Sequence, residues 1–165
     1  MKTLGCVFAL LLFVAQPPSG GAVASEYDKK ADFTKYQTYT WQKGHQAFDP
    51  SAHKLLVGEI EREMSALGLR KDDSGGADLT VTYHVLRSAE VNLKEVEKLE
   101  REGNAGQAPT YDTGKLLIVV READTKRQLW AANTLEYLSR DRAAREQTIR
   151  QAIVSLFQTY PTRKK

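Results

Sequence analysis

Cysteine is nearly missing from this chain: Cys6 is the only one in 165 residues. A disulfide framework is therefore excluded, and a fold built from these residues must be held by its core. Histidine is scarce as well. His45, His53 and His84 have no further histidine, cysteine or acid at zinc-ligand spacing, and no H-E-x-x-H occurs, so no metal is expected. No large block of one charge exists, and the formal net charge is only +3, which speaks against nucleic acid as a partner. The one long apolar run, Leu4 to Ala15, is shorter than the ~20 residues that a bilayer span requires.

That run has the layout of a secretory leader. Lys2 supplies a positive start, Pro17-Pro18 and Ser19-Gly20-Gly21 break any helix, and Ala22-Val23-Ala24 gives the small-x-small pattern before a cleavage point. Residues 1–24 are thus expected to be a signal peptide, with an exported, periplasmic domain following. A lipoprotein leader carries its apolar segment ahead of the lipidated cysteine, whereas here the segment follows Cys6, so lipidation there is not expected. Residues 162–165 form a short basic tail, which allows at most a peripheral attraction to anionic lipid.

What the chain does contain is globular: 41% hydrophobic and 27% charged residues, enough for one domain over 25–161. Phe33 to Trp41 alternates as a strand, with Phe33, Tyr39 and Trp41 on one face and Thr34, Tyr36, Thr38 and Thr40 on the other. Asp49-Pro50 opens a helix whose apolar face is Val57, Ile60, Met64 and Leu67, with Glu59, Glu61, Arg62 and Glu63 on the polar side and Gly68 as its stop. A second strand alternates Leu79, Val81, Tyr83 and Val85 against Thr80, Thr82, His84 and Leu86. Lys115–Arg121 is apolar on both faces, as a central strand is, and the turn at Glu122–Arg127 leads into an antiparallel partner from Gln128 to Leu138. A last helix opens near Ser139 or Asp141. Its stripe Ile149, Ala152, Ile153, Leu156, Phe157 and Tyr160 is unbroken up to Pro161.

Between Ser88 and Thr113 the pattern weakens. Leu93, Val96 and Leu99 have helical spacing, and Glu90/Lys94 and Glu97/Arg101 stand four apart, so a short charged helix is expected there. Gly103 to Pro109 then reads as a loop, and 88–113 as a charged, flexible insertion. The expected fold is α+β: a two-layer sandwich of four mixed strands with two main helices on one face, in the order β-α-β-(insert)-β-β-α.

No nucleophile elbow, S-x-x-K or phosphate-loop pattern is present, and the acids lie on helix faces and turns, so no catalytic residue and no cofactor is assigned. Tyr36, Tyr39, Trp41, His84 and Trp130 are the candidate ligand or partner surface, with core packing as the competing role for the aromatics. Three functions fit: a non-enzymatic envelope module that binds a protein partner, a carrier for a lipid or other apolar ligand, and an envelope hydrolase using surface carboxylates.

Several short motifs together resemble a bacterial envelope family known as domain of unknown function four-one-three-six. They are Ala31-Asp32-Phe33 with Tyr36, Thr38-Tyr39 with Trp41, Leu67-Gly68-Leu69, Ala77-Asp78-Leu79 with Val81 and Tyr83-His84, Gly114 with Leu116 and Ile118, Leu129-Trp130, and the closing Tyr160-Pro161. The resemblance spans roughly Tyr27 to Pro161. It implies an envelope compartment and an α/β fold, and no catalytic residues. Members are often lipoproteins, unlike the leader here, and Val119 stands where the family pattern carries an aspartate.

Overall fold

A computed structural model describes residues 21–47, 49–91, 93–103 and 110–162. The leader residues up to Gly20, Cys6 among them, lie outside that range, as do the loop residues 104–109 and the basic tail from Arg163. The chain forms strands β1 (Ala24–Tyr27), β2 (Thr38–Trp41), β3 (Arg70–Lys71), β4 (Leu79–Val91), β5 (Thr110–Glu122) and β6 (Gln128–Leu138). Three helices intervene: α1 (Pro50–Ala66), α2 (Leu93–Arg101) and α3 (Arg142–Phe157). All six strands make one mixed sheet in the order β1-β6-β5-β4-β2-β3.

The sheet is therefore six-stranded, not four. β1 and β3 carry no apolar alternation because they are exposed edge strands, held by backbone bonding to β6 and β2. The strand expected from Phe33 begins only at Thr38. Asp32 accepts hydrogen bonds from both the backbone N–H and the hydroxyl of Thr34, which winds Phe33–Lys35 into a 3-10 turn. Phe33 still reaches the core, edge-on to Tyr160 with ring centroids 5.4 Å apart. The expected insertion also contains regular structure in its described residues. β4 continues to Val91 and β5 starts at Thr110, so both ends of 88–113 prolong a hairpin, with the short charged helix as α2 near its tip.

α1 and α3 pack against one another over one face of the sheet, and with it they enclose Ile60, Met64, Leu79, Val81, Ile118, Val120, Trp130, Ile153, Leu156 and Phe157. Both helices are capped as their sequences foretell, Asp49 accepting from Ser51 N–H and Asp141 from Ala144 N–H. The buried stripe of α1 is rotated from the expected one: Leu56, Glu59, Ile60, Glu63 and Met64 are buried, while Val57 and Leu67 are only half-buried. Glu59 sits at the α1–α3 seam, paired with Arg150 of α3 and Arg62 of its own helix, so a carboxylate takes part in the helix–helix contact.

β4 and β5 run for 13 residues each and β6 for 11, about twice the usual strand. The edge strands do not follow them that far. β2 pairs only with Leu79–Val81 of β4, and β1 only with Trp130–Asn133 of β6. A three-stranded ribbon therefore projects from the covered part of the sheet. Along its helix-side face, successive rows read Val81–Val120–Trp130, Tyr83–Ile118–Ala132, Val85–Leu116–Thr134 and Arg87–Gly114–Glu136. The rows pass from large and apolar, through small, to charged.

Candidate functional site

The cleft begins where those rows lose their bulk. It has a volume of about 350 Å³, at the lower end of the range for small-ligand sites. Val85 and Leu116 form the floor, Ala52 and Leu56 project from α1, and Ile149 and Ala152 from α3. Each helical pair is three or four residues apart and so lies on one face. Two of the four are alanines, which leaves the space between helix and sheet unfilled. Gly114 removes a side chain from the next row, and a Cβ there would stand 3.1 Å from the Leu138 side chain that closes that end.

Two opposite charges meet at this cleft without pairing. Glu136 is only 8% exposed, and its Oε1 accepts from Gly21 N–H at 2.8 Å and from the Thr134 hydroxyl at 2.9 Å. Arg145, one turn before Ile149, donates to the Ser139 carbonyl at 3.1 Å, and among the described residues no carboxylate lies within ion-pair distance of it. Arg87 is engaged by Asp112 at 2.5 Å.

The loop from Gln42 to Ala47 forms one rim. Val85 N–H donates to the His45 carbonyl at 2.8 Å, His45 N–H to His84 Nδ1 at 3.1 Å, and Ala47 N–H to the Tyr83 hydroxyl at 3.4 Å. Tyr83 in turn bonds to His53 Nδ1 on α1. Gly44 permits this close approach, since a Cβ there would come within 2.2 Å of the Tyr83 carbonyl oxygen. Burial pushes the Tyr83 hydroxyl up from its ordinary pKa.

The five residues singled out from the sequence do not form one surface. Trp130 is fully buried, ringed by Phe157 and Tyr160, with its indole N–H donating to Thr159 at 3.3 Å. Tyr39 is 1% exposed, and burial pushes its hydroxyl up to about 12. Both are core residues and offer no contact area to a partner. Tyr36 is buried too and donates to Glu122 at 2.9 Å; burial first, then that carboxylate, raises its pKa. His84 lies on the sheet face away from the helices, bound to the rim loop. Trp41 keeps a partly exposed ring beside a second hollow shared with His53 and Tyr83, and its indole N–H donates to Glu61 at 2.8 Å.

Sequence reading missed Ala52, Gly114, Glu136, Arg145 and Ile149 as a set. One signal was available. Glu136 falls in phase with Trp130, Ala132 and Thr134 on β6, so it had to face inward, where a carboxylate marks either a partner or an opening.

This set can hold an apolar group, with one anionic and one cationic wall group beside it. Among the described residues no cluster of three or more histidine, cysteine, aspartate or glutamate side chains could hold a metal ion, and no helix is long and apolar enough to cross a membrane.

No curated protein matches the chain. Among the solved structures that share its fold are two at low sequence identity. One is a PDZ domain protein from Parabacteroides distasonis, at a TM-score of 0.57 and 14% identity, with 88% of this chain aligned to 36% of that one. The chain thus spans about a third of that protein. The other is PelC from Paraburkholderia phytofirmans, solved as a dodecamer, at a TM-score of 0.50 and 12% identity, with 85% of this chain covering 98% of PelC. Residues 23–162 match the family described as Domain of unknown function (DUF4136), and the chain belongs to that family.

Proposed function

We propose that this protein is a non-enzymatic binding module of the bacterial cell envelope, exported by its leader, that works as an assembly of copies or with an envelope protein partner. One observation carries the reading: the sandwich is left open at one end, where a preformed apolar cleft lies beside a ribbon that outruns both edge strands. A module built only to pack its own core has no use for either feature. The likeness to PelC, which is dodecameric and nearly the same length, supports self-assembly within this reading. Cell fractionation with crosslinking, together with light scattering on the purified full chain, tests it. Recovery of a monomer alone, from the envelope and in vitro at every concentration, would sink it.

A second reading rests on the same apolar lining, that of a carrier for a lipid or other apolar ligand. The buried aromatics no longer motivate it, but the cleft does. Native mass spectrometry decides it: a co-purifying mass that disappears when Ala152→Phe fills the cleft supports a carrier, and bare protein rejects it.

A further inference from the structure

Among the described residues, α2 is the one helix that does not pack on the core. It stands at the tip of the projecting ribbon, away from the helical layer and the core. Its apolar residues Leu93, Val96 and Leu99 recur every three residues on one side, and Leu93 is 70% exposed. Glu97 and Glu100 follow Leu93 by four and seven residues, so they extend the Leu93 side of that ridge with negative charge. Among the described residues neither carboxylate has a cationic partner. The chain thus holds an apolar ridge, open at Leu93 and half-buried at Val96 and Leu99, bordered by acids. It also holds an apolar cleft bordered by Arg145, whose guanidinium binds only the Ser139 carbonyl. Of the other acids at the cleft, Glu136 accepts from the Thr134 hydroxyl and Asp49 from the first turn of α1.

We infer that the ridge of α2 docks in the cleft of a second copy, with Leu93, Val96 and Leu99 against the apolar wall and Glu97 and Glu100 toward Arg145. A copy does not fill its own cleft. From Val85 on the cleft floor to Val91 the strand advances six residues, about 20 Å of paired β structure, before α2 begins. The two complementary features are held apart on one body, so only a neighbour can join them. Such a contact is head-to-tail, the kind that closes into rings when the rotation permits. The inference rests on the self-assembly reading above and names its interface.

The test uses the full chain in light scattering and sedimentation velocity over a concentration series, with circular dichroism to check folding. Leu93→Asp changes an exposed residue, so the domain stays folded, and association is expected to weaken at least tenfold. Ala52→Trp blocks the cleft and leaves the ridge intact. Each variant alone should be monomeric, and a mixture of the two should give heterodimers and nothing larger, because one copy can only receive and the other only donate. Glu97→Arg and Arg145→Glu should each weaken assembly, and together restore part of it. Should the wild type assemble while Leu93→Asp assembles equally well, the interface is overturned and the assembly reading survives. A wild type that is monomeric throughout overturns both.

Discussion

The two halves of the β4–β5–β6 ribbon share the same antiparallel pairing and meet different surroundings. In the near half, Val81, Val120 and Trp130 sit under two helices with no exposed area. In the far half, Leu86, Leu135 and Tyr137 are more than half exposed on one face, while Gly114 and Glu136 border the cleft on the other. Strand pairing alone therefore does not decide burial; what lies above the strand does. The near half should account for stability and the far half for recognition.

The largest test of that division is Trp130→Ala, expected to cost about 3–5 kcal/mol in a denaturant titration because it empties the centre of the near half. Next comes a pair on a single helix. Ile153→Ala, fully buried, should cost about 2–5 kcal/mol, and Ile149→Ala, on the cleft wall, distinctly less. Equal costs would show that the cleft is filled in solution. Gly44→Ala should cost about 1–3 kcal/mol, because its methyl meets the rigid carbonyl of Tyr83 rather than a movable side chain.

Acid should also weaken the near half. Hydrogen bonds from Thr125, Tyr36 and Lys35 hold Glu122 at about 2 rather than 4.5. The unfolded chain thus takes up this proton first as pH falls. The stabilising contribution is complete above about pH 4.5 and is lost as pH approaches 2. Asp78 adds to the same limb, its carboxylate kept low by the backbone N–H groups of Gln37 and Thr38. Glu122→Gln should flatten the acid side of a stability–pH curve. The smallest effect is expected from Leu93→Ala, within ~0.5 kcal/mol of wild type by thermal melting, since the residue lies outside the core.

How much of this could be read in advance follows the same division. The α3 stripe, the β5–β6 hairpin and the Asp49 and Asp141 caps were legible, because each depends on neighbours in sequence. β1 and β3 were not, because an edge strand is specified by its partner's backbone and leaves no mark in its own side chains. The buried Glu59 escaped for a related reason: its inward position depends on Arg150, far along the chain. The cleft was the least legible feature. It is made by what Ala52, Ala152 and Gly114 leave out, and small residues at core positions look like ordinary packing until the facing wall is known.

The pairing of β1 also bears on timing. Ala24 lies opposite Asn133 and Tyr27 opposite Trp130, so the first strand has nothing to pair with until most of the chain is available. The β5–β6 hairpin, joined by one short turn, has no such wait. Local pairs form before distant ones, because closing a long loop costs entropy that later contacts must repay. In a chain delivered amino end first, Ala24–Tyr27 would stay accessible to other proteins during the interval before β6 arrives to cover it.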